Sequence, residues 1–592
     1  MATGSTLRRL QRLFALATWA RKHGIDPAEA EAAYAAARDE RRAFLQTMAA
    51  AAALAALPLV GCDSGGGGDP DDAGVGTDGG DLPDGGGGAG GGGGETPRIA
   101  IVGGGMAGLH CAHRLKAAGV ASVVYEAQTR VGGRMWTSRD RLPDGLLFEI
   151  GGELIDSNHA TLWALSEELG LTLDDRWAVE TPGMTRETWF FDGDRVSSET
   201  LLEQTMAVAD VLGAAVEAAE NDDDAFAELD ATSITDWLAE NVPPATYPEL
   251  HAALSVAYLN EFGLENDEQS ILNLLYLFGI DAEDEFLIFG ESDERWHTHL
   301  GNDAFTTALA EGLGADAIMT DAALVRAAGA GPFTLTFRRA DATTFDVEAD
   351  RVVFALPFTT LRQVDLADLT LSDEKRTTIN EIGYGTNAKV MGHFTRRPWW
   401  EDHGETGLLT TDLGIQQGWD TTLGQDVAGT AGVWTHFSGG NAGVAVGEGE
   451  AADAFGRIIG DLETVWPGSR EAWSGRAERM HWPSFPWTQG SYTCYRPGQW
   501  AFWSTEGIRE GDLHFCGEHC SLDFQGWMEG AAETGGIVAA EILGDLGLGE
   551  PQSKAARGRV RWERRAKRLA RRYRAALQAG RPLAGPPVPA RR

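Results

Sequence analysis

The chain has 592 residues, of which 43% are hydrophobic and 9% are aromatic, so it can bury a large core and is not globally disordered. Its length predicts several structural units rather than one. Its formal net charge of −39 argues against nucleic acid as the main partner, because such a partner requires a basic surface. The five cysteines are too irregularly spaced to predict a disulfide framework or a zinc site.

The first 62 residues have the pattern of an export signal. Arg41 and Arg42 precede an apolar run over residues 48–60, which is too short to span a membrane. The arrangement resembles a twin-arginine signal, and the following LVGC resembles a lipoprotein cleavage motif that ends at Cys62. We therefore expect export to the periplasm or the cell surface and a membrane anchor on Cys62. The alternative is an alanine-rich helix with an incidental cysteine.

Residues 63–96 consist almost entirely of Gly, Asp, Ser and Pro. A segment of this composition cannot bury apolar surface, so we expect a flexible tether with a mean reach of about 30 Å.

The stretch RIAIVGGGMAGLHCAHRLKAAGVASVVYEA (98–127) predicts strand, glycine turn, helix and second strand. Gly103, Gly105 and Gly108 form GxGxxG directly after the first strand. The first glycine permits the turn, the second lets backbone approach a pyrophosphate, and the third lets helix and strand pack closely. Glu126 ends the second strand, where a carboxylate can accept ribose hydroxyls. These features predict a dinucleotide-binding fold.

Two further segments favour FAD over NAD. RVGGRMW (130–136) follows the ribose acid and places Arg134 where it can meet a phosphate. It resembles the second glycine motif of FAD enzymes of the glutathione-reductase type. Near the other end of the chain, FCGEHC (515–520) and QGWMEGAAETGG (525–536) resemble the strand and helix that close such a domain, with Gly517 and Glu518 at the strand end.

From about Arg98 to Leu548 the chain resembles the flavin-containing amine oxidases, and GWMEGA (526–531) is a specific match. LGND (300–303), the adenine-contacting position Val325, and FALP (354–357) are weaker matches. The resemblance implies an α/β fold with a Rossmann-like FAD-binding domain of discontinuous segments and an α+β substrate domain. It assigns residues 98–184, 296–369 and 489–548 to the first, and residues 185–295 and 370–488 to the second. Long amphipathic helices are predicted over 201–219 and 249–279.

The resemblance also implies which residues contact noncovalent FAD. They are Gly103, Gly105, Met106, Ala107, Gly108, Glu126, Arg134, Gly151, Gly152, Val325, Gly517, Glu518, Trp527 and Met528. Ser491 stands where some relatives carry the cysteine that is bonded to flavin, and Cys494 is an offset substitute. No catalytic lysine is assigned, and Lys389 is expected to be structural.

The family's reaction would pass a hydride from an amine-bearing carbon to FAD, and the resulting imine would hydrolyse to a carbonyl compound and ammonia. Dioxygen would reoxidise the flavin and form hydrogen peroxide. Tyr492 and Trp527 correspond to an aromatic pair that flanks the amine. The alternatives are core packing for either ring, an L-amino-acid oxidase or tryptophan 2-monooxygenase relative, and a flavoprotein that is not an oxidase.

The segment GGELIDSNH (151–159) bears on the substrate. Amino-acid oxidases of this superfamily carry an arginine where Leu154 stands, whereas Asp156 matches a residue that polyamine oxidases place near the substrate nitrogen. With Glu153 close by, the segment favours amines, since carboxylates attract ammonium. The alternative is that Glu153 or Asp156 caps the helix that starts near His159.

Residues 551–592 form a basic tail with 14 Lys/Arg and one acidic residue. A cationic helix there could lie on anionic lipid. Binding to a partner, folding back on the acidic body, and a solvated tail are the alternatives.

Overall fold

The computed structural model describes residues 97–179, 183–277, 293–425 and 430–548. The predicted export signal with Cys62, the tether and the basic tail lie outside these ranges. Within them, no helix combines the length and the apolar character needed to cross a bilayer.

A five-stranded parallel sheet forms the centre of the nucleotide-binding half. Its middle strand is the fully buried run IAIV, which has the uninterrupted apolar character of a strand that is covered on both faces. All neighbouring strands run parallel, so their carboxyl ends share one edge of the sheet. In spatial order the strands are Leu513–Phe515, Arg351–Phe354, Ile99–Val102, Val123–Tyr125 and Ile318–Met319.

Four helices pack around this sheet and enclose a core that includes Ile101, Leu109 and Phe305. The helices are Met106–Ala117, Ala160–Leu169, Asp303–Leu313 and Met528–Asp545. The first and last of them touch closely, since a Cβ added to Gly535 would lie 2.3 Å from the carbonyl oxygen of Ala107. An antiparallel meander of Ala323–Ala328, Phe333–Arg338 and Thr344–Ala349 adjoins the sheet.

A seven-stranded mixed sheet forms the other half. Its strands, in spatial order, are Trp473–His481, Ala388–Phe394, Gly432–Ser438, Gln417–Asp420, Glu405–Thr411, Thr185–Phe191 and Asp194–Arg195. One face packs on helix Ala451–Val465 through a core that includes Val390, Trp434 and Phe455. The other face carries Lys389 and Trp419, which contact the GGELID segment. The predicted α/β fold class with a second α+β unit is confirmed.

The helices of this second half follow the amphipathic pattern only in part. The first predicted helix forms over Ser198–Asn221, whereas the prediction of one helix over 249–279 is wrong. Helix Pro248–Phe262 ends at Gly263, which has a φ of +74°, and a new helix covers Ile271–Leu277. The remaining α-helices of this half in the described ranges are Asp223–Ala231, Ile234–Asn241, Asp373–Glu381, Pro398–Glu401, Gly440–Ala445 and Ser469–Ala472, and a short helix Phe358–Leu361 follows the FALP segment.

Two short antiparallel ladders lie within the segments that were predicted to form the FAD-binding domain. Thr137–Ser138 pairs with Phe148–Glu149, and Leu173–Asp175 pairs with Trp296–Thr298. The second ladder places Arg176 and Arg295 next to each other, because Arg176 donates its backbone N–H to the carbonyl of Arg295 at 2.9 Å.

Candidate active site

The GxGxxG turn opens onto a cleft at the carboxyl edge of the parallel sheet. Gly103 has a φ of +112°, and a Cβ there would lie 2.5 Å from the carbonyl oxygen of Ala355. A Cβ on Gly108 would lie 2.0 Å from the carbonyl oxygen of Gly103. A Cβ on Gly105 would meet nothing nearer than the Cα of Gly133 at 4.0 Å. Gly105 therefore leaves space for a ligand, whereas the other two glycines serve the packing of the protein.

The cleft has an empty volume of about 1520 Å³, its open mouth included, and its walls come from several separate parts of the chain. The predicted cofactor residues in those walls are Gly103, Gly105, Met106, Ala107, Glu126, Arg134, Val325, Gly517, Glu518, Trp527 and Met528. The FALP segment adds Ala355, Leu356 and Pro357. Three predicted residues, Gly108, Gly151 and Gly152, do not line the cleft.

Glu126 stands at the end of the second strand with its carboxylate held by backbone amides. Oε2 accepts the N–H of Gly104 at 2.7 Å, and Oε1 accepts the N–H of Gln128 at 2.8 Å. Burial raises the pKa of Glu126, although these hydrogen bonds act in the opposite direction. The carboxylate is thus fixed beside the glycine turn, where its remaining lone pairs can accept ribose hydroxyls.

A largely buried ion pair between Arg134 and Glu518 joins the two segments that were predicted to hold FAD. Nη1 of Arg134 donates to Oε1 of Glu518 at 2.8 Å and to the carbonyl of Ser491 at 2.7 Å. Oε2 of Glu518 accepts the N–H of Gly526 at 2.9 Å. The pair therefore holds three backbone segments around the cleft, and both of its side chains line the wall.

The walls have the chemistry that a dinucleotide requires. Helices Met106–Ala117 and Met528–Asp545 both begin at the cleft, and no side chain caps either N-terminus. Uncapped amides at a helix N-terminus are a ready site for phosphate. The residues present fit FAD, which would be held by the glycine turn, Glu126, Arg134 and the start of the second helix.

The glycine pair Gly151–Gly152 has a different neighbour from the predicted flavin. A Cβ on Gly151 would lie 1.8 Å from the carbonyl oxygen of Arg134. The N–H of Gly152 donates to that same oxygen at 3.0 Å, and the N–H of Gly151 donates to the carbonyl of Trp136 at 3.2 Å. Because these glycines have no side chain, the RVGGRMW backbone can pack against them, and this places Arg134 in the cleft wall.

Glu153 is buried against the seven-stranded sheet and accepts three hydrogen bonds. The donors are Nζ of Lys389 at 2.7 Å, Nε1 of Trp419 at 2.8 Å and Oγ1 of Thr421 at 2.5 Å. Burial acts to raise the pKa of Glu153, but the charges of Lys389 and Arg176 outweigh it and hold the pKa below its ordinary value. Glu153 is therefore an ionised structural partner, not a wall of the cleft.

Lys389, which was predicted to be structural, contacts the GGELID segment beside the cleft. Besides Glu153, its Nζ donates to the carbonyls of Gly151 at 2.9 Å and Glu149 at 3.2 Å. The signal was present in the sequence, because a lysine in the buried strand AKVMGHF requires an acidic or carbonyl partner. Lys389 thus connects the seven-stranded sheet to the segment that contacts the Arg134 backbone.

Asp156 is also buried, and its carboxylate is already engaged. Oδ1 accepts the N–H of Glu294 at 2.7 Å, and Oδ2 lies 3.2 Å from Nε2 of His159. Asp156 does not line the cleft. The position therefore gives no support to the prediction that Asp156 attracts a substrate ammonium.

The structure does not show the alternative capping role either, because helix Ala160–Leu169 has no side-chain hydrogen bond from its N-cap residue, His159. Two amides in the first turn of that helix, on Thr161 and Leu162, donate to the two carboxylate oxygens of Glu529 at 2.7 and 2.8 Å. The cap thus comes from the distant GWMEGA motif, which no local sequence pattern could indicate.

The two predicted aromatic residues meet at Gly526. Trp527 lines the cleft, and its ring lies edge-on to the ring of His159 at 4.8 Å between centroids. Tyr492 is buried, its hydroxyl donates to the carbonyl of Glu261, and its Cδ2 would lie 3.6 Å from a Cβ on Gly526. The structure thus brings both residues together at one end of the cleft, with only Trp527 in its wall.

None of the four cysteines in the described part of the chain lines the cleft. The thiol of Cys494 accepts a hydrogen bond from Nδ2 of Asn273 at 3.7 Å, and burial raises its pKa. Ser491 donates its hydroxyl to Oδ1 of Asn387 at 2.5 Å. A thioether to flavin therefore has no donor in the cleft wall.

The chain is similar to known proteins in sequence and in fold. The chain is similar to the L-amino acid dehydrogenase of Synechocystis, at 25% identity over 474 residues that cover 75% of this chain and 94% of that protein. It is 30% identical to the putrescine oxidase of Kocuria rosea over 215 residues, or 32% of this chain and 44% of that one. Cyclohexylamine oxidase from Brevibacterium oxydans has the same fold, with a TM-score of 0.64, 22% identity, and coverage of 76% of this chain and 100% of that one.

The sequence profile of flavin-containing amine oxidoreductases matches residues 106–543, which begin just after Gly105 and include the Arg134–Glu518 pair and most of the helix that follows Trp527. FAD is the cofactor that this cleft fits. The chain therefore belongs to the flavin-containing amine oxidoreductase family.

Proposed function

We propose that the protein oxidises a small molecule at a carbon that bears an amine, with dioxygen as the electron acceptor. The amine, dioxygen and water would give a carbonyl compound, ammonia and hydrogen peroxide. The observation that carries this proposal is the continuity of one cleft from the glycine turn to Trp527, with the ion pair of Arg134 and Glu518 between them.

Bound FAD would supply the oxidising power, so the protein's own residues would orient the substrate and exclude water. Trp527 presents an aromatic face at the end of the cleft, and the adjacent Tyr492 is fixed by its hydrogen bond to the carbonyl of Glu261. Aromatic faces favour an amine that is losing electron density. Both rings are almost fully buried, which keeps bulk water from this end of the cleft.

The relatives support this class of reaction and leave two kinds of substrate open. One acts on L-amino acids and others act on putrescine or cyclohexylamine, as their names state. Noncovalent FAD is part of the proposal, since no described cysteine lines the cleft.

Export and anchoring form a second part of the proposal and rest on residues 1–96 alone. Arg41 and Arg42 would direct twin-arginine export, and Cys62 would carry the lipid. The test is metabolic labelling with a radioactive fatty acid in a bacterial host. Label should enter the wild-type protein and be lost in Cys62→Ser; equal label in both would exclude this anchor.

The activity is tested with purified protein reconstituted with FAD, using a peroxide-coupled assay. Monoamines, diamines, polyamines and amino acids are screened side by side, and protein from which FAD has been removed is the control. An artificial electron acceptor is run in parallel, so that a dehydrogenase is recognised. FAD-loaded protein that reduces neither oxygen nor the artificial acceptor with any of these compounds would refute the proposal.

A further inference from the structure

Four residues mark the open mouth of the cleft, because they line its wall and are also exposed to solvent. They are Arg338, Gln363, Pro486 and Trp487. The other residues of the wall are buried or only partly exposed. The four exposed side chains are therefore the ones in the wall that can close over a ligand seated on the inner surface of the cleft.

Trp487 presents an indole at this mouth with 37% of the residue exposed. Of the large apolar side chains that are exposed in the described ranges, it is the only aromatic one and the only one in the cleft wall. Its N–H makes no hydrogen bond with the described residues, and its ring packs on no other ring or cation among them. Tryptophan usually buries its apolar face and pairs its N–H donor, and both are available here.

The segment that carries Trp487 is anchored on both of its following residues. The carbonyl of Thr488 accepts a hydrogen bond from Oγ1 of Thr359, and Oε1 of Gln489 accepts one from Nε2 of Gln363. Both donors belong to the segment that follows the FALP strand end, which is itself part of the cleft wall. The position of the indole at the mouth is thus set by hydrogen bonds to the wall.

Arg338 stands at the mouth near the residue predicted to accept ribose hydroxyls. It ends strand Phe333–Arg338 and pairs with Ala323 in the next strand. The residue before Ala323 donates its N–H to the carbonyl of Glu126 at 2.9 Å, which places Arg338 beside the segment bonded to that acid. The guanidinium forms no ion pair or side-chain hydrogen bond with any described residue. Its charge and its donors are therefore available to a ligand.

We propose that Trp487 and Arg338 form a clasp over bound FAD, which closes the mouth of the cleft and slows release of the cofactor. FAD has aromatic rings on which an indole or a guanidinium can stack, and a pyrophosphate that attracts a cation. Because no described cysteine lines the cleft, retention of FAD would depend on noncovalent contacts of this kind. Neither residue belongs to the glycine turn or to the motifs around Arg134 and Glu518.

The test measures FAD release from the holoprotein after dilution into excess ADP, with flavin fluorescence as the signal. ADP shares the adenosine and pyrophosphate of FAD, so it blocks rebinding. Trp487→Ala should release FAD about tenfold faster than the wild type, and Trp487→Phe should recover most of the difference because it keeps a ring. Arg338→Gln should release FAD about threefold faster. This second effect should shrink at high salt, because exposed charges are screened.

Two control variants lie outside the cleft wall. Arg339→Gln changes the next arginine, which stacks on Phe345 at 4.6 Å. Val444→Ala removes apolar surface from a residue that is also 37% exposed. Neither control should change the rate of FAD release.

A second measurement uses the unchanged protein and stands even if a variant does not fold. Hydroxyl-radical footprinting, read by mass spectrometry of the peptide that contains Trp487, compares apoprotein with holoprotein. Trp487 should be oxidised more slowly in the holoprotein, because FAD would cover the face that the indole exposes.

The possible failures are distinguishable. Equal release from wild type and Trp487→Ala, or equal oxidation of Trp487 with and without FAD, would refute the clasp. Equal release from wild type and Arg338→Gln at low salt would refute its cationic half. If the controls release FAD as fast as Trp487→Ala, the effect is a general loss of stability and the clasp is refuted. A protein that retains FAD through Trp487 and Arg338 but oxidises no amine would refute the proposed function alone.

Discussion

Nζ of Lys389 lies 2.7 Å from Oε2 of Glu153, and both side chains are almost fully buried, at 1% and 2% exposure. Lys389 belongs to the seven-stranded sheet, whereas Glu153 follows the glycine pair on which the Arg134 backbone rests. The pair therefore connects the half that contains the seven-stranded sheet to the nucleotide-binding half, at a point shielded from water. A charged contact in that position is expected to matter more for stability than an exposed one.

Removing either partner should destabilise the protein strongly. Lys389→Met leaves a buried carboxylate and Glu153→Gln leaves a buried ammonium, and each is expected to lower the free energy of unfolding by about 3–5 kcal/mol. The double variant should lose less than the sum of the two, because no charge is then left unpaired. Urea unfolding of all four proteins measures this, and strictly additive losses would show that the two charges are not coupled.

Acid should remove the contribution of the same pair. The pKa of Glu153 is held below its ordinary value in the folded state, so its ionised form stabilises the protein above the pKa of the unfolded chain. That stabilisation is lost as the pH falls through the folded-state pKa. The difference in stability between wild type and Glu153→Gln should therefore be constant near neutral pH and shrink below about pH 4.5. A difference that grows on acidification would contradict the direction of the shift.

Gly105 and Gly108 should separate cofactor binding from folding. In Gly105→Ala the new methyl group has room in the protein but enters the cleft, so FAD affinity should fall about tenfold or more at unchanged apoprotein stability. In Gly108→Ala it meets the carbonyl of Gly103, so stability should fall by about 1–3 kcal/mol or more. Fluorescence titration with FAD and thermal melting of the apoproteins measure the two effects. If Gly105→Ala and the wild type bind FAD equally well, the pyrophosphate does not lie next to Gly105.

Asp156→Asn should leave amine binding nearly unchanged. The asparagine oxygen can still accept the N–H of Glu294, while the negative charge is removed. Because the carboxylate does not line the cleft, KM for amines should change by less than about threefold. Steady-state kinetics measure this, and a rise of tenfold or more would restore the expectation that Asp156 attracts the substrate ammonium.

The fold and the cofactor were predictable because their signals are local. Gly103, Gly105 and Gly108 occupy fixed spacings between a strand and a helix; the structure shows a steric cause for Gly103 and Gly108 and open space at Gly105. The motifs near Arg134 and Glu518 are 384 residues apart, yet each carries its own pattern of glycines. Local patterns of this kind are enough to predict an FAD-binding sheet.

The charged residues around the substrate end were not predictable in the same way. The carboxylate of Glu153 is paired with a lysine 236 residues away, and only the folded chain shows that Asp156 is already engaged. Proximity of this kind is a tertiary property, which spacing along the chain does not encode.

The carboxylate of Glu529 accepts the N–H groups of Thr161 and Leu162, in the first turn of helix Ala160–Leu169, at 2.7 and 2.8 Å. Charge at a helix N-terminus is favourable, and loss of an N-terminal cap typically costs about 0.5–2 kcal/mol. Glu529→Ala should therefore lower stability by about 1–2 kcal/mol, or more if the amides remain buried. Glu533→Ala is the control, because Glu533 contacts Ser521 at a partly buried position of the same helix and should cost about 0.5 kcal/mol or less. Urea unfolding distinguishes the two variants, and equal losses would mean that the distant cap contributes nothing specific to the fold.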